Sequence, residues 1–534
     1  MQIIWPNRST TTIQKPGINQ LHKIIYDPNT SKPFHPNESK PVIPLLQQTT
    51  VQLQKHTEDD QVDFYIERNI PFMLSKLGPK AAAADLNGDG LEDLFIGGAN
   101  GQASQLYFQT STGFKLQVVP DFNSFKFNDV TAAFFFDADE DGDQDLFVGG
   151  GGNTAPASSD LYQNQLYINN GKGAFALQSG AFLISHTNCG VAIPLDYDSD
   201  GKMDIFIGSR SEPQQYGIAP KSFLYHNEGN GMFKEVSASV APFLSNLGMI
   251  TGAVYANVMG DQQPELVVTG EWMYPHVYQF KGKQFVEQKT GLENQLGWWQ
   301  TVVAADLDKD GDNDLVLGNL GENFYLRPNK DAPVKVFIKD FDKNGSVEKI
   351  FSHTLNGKDM PVFLKKDITE QLPALKKENL KHQDFAPKTI QELFPNTLSD
   401  ARVLSVNTGA SIIALNNSNK GFSVQALPYQ LQLSSVQSLV VEDMNGDGNV
   451  DILAAGNFFD LLPQFCSIDA SYGNLLLGNG KAGFSVASPQ QSGVSINGQI
   501  KQILPLRLNN QLGYLFLQNN DYPVYFRKTS AVKK

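Results

Sequence analysis

Carboxylates at every second position of a short loop are the chemistry this sequence offers most plainly. In DLDKDGDND, residues 306–314, Asp306, Asp308, Asp310 and Asp314 stand at positions 1, 3, 5 and 9, with Gly311 at position 6. A hard cation such as Ca²⁺ takes about six to eight oxygen ligands, and alternate carboxylates in a tight turn bring them to one point. Asp312, at position 7, offers its backbone carbonyl, and the glycine permits the sharp turn. The pattern recurs five more times. One copy holds Asp85, Asn87, Asp89, Leu91 and Asp93, a second Asp137, Asp139, Asp141, Asp143 and Asp145. A third holds Asp196, Asp198, Asp200, Lys202 and Asp204, and a fourth Asp340, Asp342, Asn344, Ser346 and Glu348. The last holds Asp443, Asn445, Asp447, Asn449 and Asp451. The set predicts about five or six Ca²⁺ sites.

These are not EF-hands, which need a Glu at position 12 and a helix on either side. Position 12 is Ile96, Val148, Ile207, Leu317 and Ala454 in five copies. Behind each of these loops stands a short apolar run closed by Gly, such as LFIGG at 94–98 and LFVGG at 146–150. Runs of that length bounded by glycine read as buried strands, so the loops join strand to strand. Hairpin chemistry comes next, with Asn, Gly and Lys between apolar runs, as in QLYINNGKGAFAL at 165–177. Units begin near residues 80, 130, 188, 250, 298, 334, 435 and 498. A four-stranded unit repeated at this period is a propeller blade.

The fourth unit has lost its metal loop: Asn257, Met259, Asp261 and Glu265 occupy the ligand positions, and Gln262 replaces glycine. It reads as a blade without a cation. The last unit shows only three strands, and Val62–Arg68 is the expected fourth. Residues 29–60, rich in Pro, Asn, Ser and Gln, read as a linker. Residues 365–400 read as a helical insertion over one face, with Asp367 and Thr389 as its two helix caps.

Charge fits the metal reading. The formal net charge is −14, and positions 1, 3, 5 and 9 of the six loops hold 21 of the 56 Asp and Glu residues. Six bound Ca²⁺ would bring the sum to about −2. No basic stripe points to nucleic acid. No run of eighteen apolar residues predicts a membrane-spanning helix. Cys189 and Cys466, the only cysteines, define no disulfide framework. The first residues lack signal-peptide character, yet weak Ca²⁺ loops suit the outside of a cell. The expectation is export directed by a segment upstream, to an extracellular or outer-membrane surface.

The Asp-rich nonapeptide with three apolar residues and glycine behind it resembles the FG-GAP/VCBS repeat of integrin α-chain propellers and of many secreted bacterial proteins. The resemblance covers about residues 78–528. It implies an all-β fold, a β-propeller of seven or eight four-stranded blades, with the helical insertion and a short N-terminal β segment. The opening IIWPNRSTTTIQ resembles the end of the ASPIC/UnbV module, with Asn7-Arg8 in place of the usual Ser-Gly. That implies the C-terminal part of a longer bacterial surface protein. The expected divisions are 1–28 for this module, 29–60 for the linker, 61–528 for the propeller and 529–534 for a tail.

Integrin-like propellers bind ligand on the face opposite the metal loops. There the loops hold Arg210, Tyr216, Glu271, Trp272, Tyr274, Trp298 and Asn323 as candidate contacts for a protein or glycan partner. Packing between blades is the competing role for Trp298 and Trp299, and an ion pair for Arg210 and Glu271. No HExxH, GxSxG or P-loop is present. The function expected is non-catalytic binding. The alternative is a polysaccharide lyase, which needs a base and charge neutralisation from groups such as Arg210, His276 and His353.

Overall fold

The computed structural model describes residues 1–33, 42–261, 263–465 and 467–529. Gln262 and Cys466 therefore lie outside the described residues, and with Cys466 any pairing to Cys189. The chain divides into two compact units, Met1–Ile43 and Pro44–Lys534.

In the first unit, Gln2–Ile4, Ser9–Thr12 and Lys32–Pro33 form a three-stranded antiparallel sheet. Trp5 holds it, donating its indole N–H to Thr11 Oγ1 at 2.9 Å and packing edge-on against Tyr26.

The second unit is a β-propeller of seven antiparallel blades. The blades run over residues 81–117, 129–177, 188–235, 249–287, 301–426 (interrupted), 438–486 and 500–528. Within each blade the second strand is the most deeply buried, as in Asp145–Gly151, where every residue is buried. That is why these runs are continuously apolar rather than alternating. The glycine closing the second strand marks where the next blade's inner strand crosses. A Cβ at Gly208 would sit 2.5 Å from Ile250 Cγ2, and one at Gly318 would sit 2.4 Å from the Val436 carbonyl.

Two expectations are corrected. The strand completing blade seven is Leu46–Thr49, paired Leu46↔Lys528 to Thr49↔Tyr525, and not Val62–Arg68. An outer strand needs little apolar character, and only Leu46 of the four is buried, so its composition reads as linker. The stretch Val62–Arg68 instead holds a single 3₁₀ turn at Asp63–Tyr65. Blade seven meets blade one through Ala81, Leu94 and Ile96 against Leu506, Leu515 and Leu517. Paired hydrogen bonds join Ala81 and Gln502 as well.

The count settles at seven because the unit beginning near 334 is not a blade. Blade five contributes Thr301–Ala305 and Asp314–Gly318, then leaves the propeller, and returns with Ile412–Asn416 and Phe422–Ala426. The intervening chain builds its own sheet from Val334–Lys339, Glu348–Leu355, Lys358–Pro361 and Arg402–Val406. It also builds four short helices between 365 and 393. Thr389 caps the last of them, Ile390–Leu393, with Oγ1 accepting from the Glu392 N–H. Asp367 is no cap; it lies in the first turn of Lys365–Gln371, where its carboxylate accepts from the Leu364 N–H.

Because Asp314–Gly318 runs away from its acidic loop, this insertion emerges on the opposite face and caps it. Its Phe351, Phe363 and Phe394 share one buried cluster with Trp272, Trp298 and Phe458 of the blades.

Candidate metal centres and the capped face

Each acidic loop is first a hydrogen-bonded turn. The position 1 carboxylate accepts from backbone N–H groups at positions 4 to 6, as Asp306 does from Lys309 at 2.6 Å and Gly311 at 3.2 Å. The position 5 carboxylate accepts from the N–H of position 7, as Asp310 does from Asp312. Position 9 is a buried staple. Asp314 Oδ2 accepts from the Leu307 N–H at 2.9 Å, and Oδ1 from the Asn416 N–H on the third strand at 2.8 Å. Asp93, Asp145, Asp204 and Asp451 do the same work in their own blades. Position 4 adopts a left-handed backbone beside the glycine of position 6, with φ of 69° at Glu140 and 66° at Lys309. The spacing of acids had not flagged that position.

The loop at 257–265 keeps this turn without acids at positions 1, 3 and 7. Asn257 accepts from Gly260, Asp261 from Gln263, and Glu265 from Val258 and Met259. The turn therefore does not require carboxylates at positions 3 and 7. Where they are present, some oxygens have no protein partner at all. Asp308 Oδ1, Asp312 Oδ1 and Asp143 Oδ1 are buried with none. A buried carboxylate oxygen without a donor is costly, and a hard cation satisfies it. The residues thus fit Ca²⁺. Asp137, Asp139 and Asp145 bring ligand oxygens within 4.8 Å of one another, as do Asp196, Asp198 and Asp204, then Asp306, Asp308 and Asp314, and Asp340, Asp342 and Glu348. Burial pushes Asp314, Asp204 and Asp145 up to about 6, and their neighbouring carboxylates add to the rise.

Two contributors to these centres were not visible in the spacing. His226, on the third strand of blade three, sets Nδ1 3.0 Å from Asp204 Oδ1 and 3.8 Å from Asp198 Oδ2. Third-strand amides tie loop to loop around the molecule. Asn169 donates to the carbonyl of Leu86 in blade one, Asn227 to Ala138 in blade two, and Asn416 to Val258 in blade four.

The loop at 340–348 stands apart from the other five. It joins two strands of the inserted sheet, on the capped side of the molecule. There Asn344 to Lys349 border a groove of about 650 Å³, together with Arg68, Pro156, Pro213–Gln215 and Glu370. Beneath it lies a buried ion pair between Lys349 and Glu67 at 2.5 Å.

The expected ligand contacts lie mostly below the cap, and this corrects the picture of exposed anchors. Tyr216, Trp272 and Trp298 are 0%, 5% and 1% exposed. The Trp272 indole donates to Tyr216 Oη at 2.8 Å, and Tyr216 donates to Glu271 Oε2 at 3.1 Å. Arg210 is ion-paired with Glu271, and both are buried. Tyr274 is half-buried and donates to Glu287. Asn323 is exposed and donates to the Leu433 carbonyl at 3.3 Å. Arg210, Glu271, Trp272 and Trp298, expected in loops, lie in strands, and the sequence could not reveal that the insertion packs over them. The groups a lyase needs sit on separate elements. His276, on the third strand of blade four, bonds to Glu287; His353 belongs to the inserted sheet; Arg210 is bound to Glu271.

No curated protein matches this chain. Among solved structures, the V. cholerae biofilm matrix protein Bap1 aligns with a TM-score of 0.37 and 11% identity, over 91% of this chain and 92% of that one. Saccharomyces cerevisiae Sqt1 gives 0.41 and 11% over 86% and 98%, and YCF48 bound to D1 peptide gives 0.39 and 8% over 86% and 96%. The FG-GAP-like repeat model matches residues 85–148, 137–207, 196–268 and 257–317. Each match runs from position 1 of one loop to the strand behind the next, and the third and fourth include the acid-poor loop at 257–265. Residues 85–317 of this propeller are thus similar to four FG-GAP-like repeats.

Proposed function

We propose that this chain is a non-catalytic, Ca²⁺-binding propeller that serves as an extracellular or cell-surface binding module for a protein or glycan. Residues 1–28 then close an ASPIC/UnbV-like module of a longer exported protein. The observation that carries the metal reading is the pair of otherwise equivalent loops. One folds with Asn257 and Met259, while the other adds carboxylates whose oxygens find no protein donor. A cation accounts for that surplus. The partner surface is the groove on the capped side, bordered by Arg68, Gln214 and Glu370 and by the loop at 340–348. Polar groups on a rigid scaffold are what such recognition uses. Five Ca²⁺ ions then stiffen the blade loops, and a sixth orders one wall of the groove.

Elemental analysis after dialysis against Ca²⁺ tests the first part, with five or six ions per chain expected and none refuting it. A glycan array and a pull-down from cell envelope test the second. Binding should fall in Arg68→Ala and Gln214→Ala and persist in substitutions at loops 137–145 and 306–314; the reverse pattern overturns the choice of face.

A further inference from the structure

The seven inner strands surround an axial channel of about 260 Å³, lined at successive blades by residues such as Ala133, Ala192, Ala253 and Leu439. At its capped end the channel opens into a small recess of about 30 Å³. The two are continuous, since Lys80, Thr131, Thr251 and Gln300 line both.

Among the described residues, three cations line this recess and no carboxylate does: Lys80, Arg210 and Lys501. Two of them have their counter-charges set back from the recess. Arg210 pairs with Glu271, and Lys501 lies 3.6 Å from Asp460. Lys80 has no carboxylate within ion-pair distance among the described residues, and its ammonium donates only to the Lys501 carbonyl at 2.8 Å. Arg210 is 6% exposed, and its Nε–H has no acceptor. In a chain of net charge −14, the charged groups that face this confined space are thus all cations, with Glu271, Asp460 and, acting on Lys501, Glu58 set behind them.

Lys80 is half-buried, and Arg210 and Lys501 are buried; charge taken out of water without a partner is costly, and structures resolve it by pairing or by neutralising the group. The Thr131 and Thr251 hydroxyls cannot help, because they already donate to the Cys189 and Trp299 carbonyls. We infer that the recess is an anion site, in which Lys80, Arg210 and Lys501 hold one small monovalent anion of halide size that enters along the axial channel. Size sets the class. One water needs about 10–15 Å³ measured in this way, so about 30 Å³ admits a single small ion and excludes a phosphate ester or a sugar acid. Burial and the repulsion of Lys501 and Arg210 push Lys80 down to about 8, as expected for an ammonium whose counter-ion is missing. The competing resolution is that Lys80 simply sheds its proton, which makes the protein indifferent to anions.

Two measurements on the whole chain decide between these. In the first, thermal unfolding is followed at fixed ionic strength and saturating Ca²⁺ while chloride or bromide replaces gluconate. The melting temperature should rise by several degrees and saturate, as it does for any ligand bound only to the folded state, and Lys80→Gln should abolish the rise. In the second, crystals grown in bromide should show one anomalous peak between Lys80, Arg210 and Lys501. If Lys80→Gln fails to fold, the bromide peak in the unaltered protein decides alone. Melting independent of the halide, or a bromide experiment with an empty recess, overturns the site.

Discussion

Loops 257–265 and 306–314 occupy equivalent places in neighbouring blades, and their difference separates what folds such a loop from what loads it. Both hold position 1 against the N–H of position 4, at 2.9 Å in Asn257···Gly260 and 2.6 Å in Asp306···Lys309. Both bury an acid at position 9 against the N–H of position 2, at 2.9 Å in each case. What blade four lacks is acid at positions 1, 3 and 7, where blade five has Asp306, Asp308 and Asp312, and among the described residues Asp308 and Asp312 each keep a buried oxygen without a protein donor. The turn is thus a product of backbone hydrogen bonding, and the extra carboxylates are a charge held in readiness.

The sharpest challenge to this contrast is removal of metal. At free Ca²⁺ about a hundred times Kd, each filled loop adds about 2.7 kcal/mol, so chelation should lower the melting temperature further than any single substitution does. Equal melting curves with Ca²⁺ and with chelator end the metal reading.

Next in size is one loop at a time. Asp310→Ala should cost about 2.7 kcal/mol at that Ca²⁺ level and release one ion per chain. The ion count by elemental analysis checks it, and an unchanged count contradicts the assignment of that loop.

Glu265 gives a contrast that depends on pH. Burial pushes its carboxyl from 4.5 up to about 7, and Oε1 has no partner. A folded value above the unfolded one means a stabilising contribution that is complete below about 4.5 and lost as pH rises through about 7. Glu265→Gln removes that dependence. Relative to the unaltered chain, the variant should therefore gain about 2 kcal/mol between about pH 5 and about pH 8. Urea unfolding across that range reads the slope. Asp314→Asn, tested beside it in Ca²⁺, should destabilise, because there the carboxylate belongs to a filled loop.

The smallest effect belongs to Asp261→Ala. Asp261 is exposed and sits in the loop that lacks acids at positions 1, 3 and 7, so the change should stay within about 0.5 kcal/mol and leave the ion count alone. A lost ion would show that blade four carries metal after all.

The repeat, its loops and the strand behind each loop could be read from the chain alone. Those features are local: a turn of nine residues and an apolar run of four or five carry their own pattern, and the missing acids of blade four were equally plain. Long-range packing settled the rest. Leu46–Thr49 looked like linker because an outer strand buries one residue in four, and only its pairing with Val524–Lys528 reveals it. The unit at 334 carries the same nonapeptide as a blade, but the chain leaves blade five after Gly318 and returns at Ile412. Adjacency in space, not in sequence, makes it a cap. Trp272, Trp298 and Arg210, expected in loops, lie in the strands Glu265–Met273, Gly297–Trp298 and Asp204–Ser211, and whether such side chains meet solvent or an inserted sheet depends on contacts spanning a hundred residues. The recess where Lys80, Arg210 and Lys501 meet joins blades one, three and seven. No local pattern encodes such a meeting, because it exists only once the inner strands are arranged around a common axis.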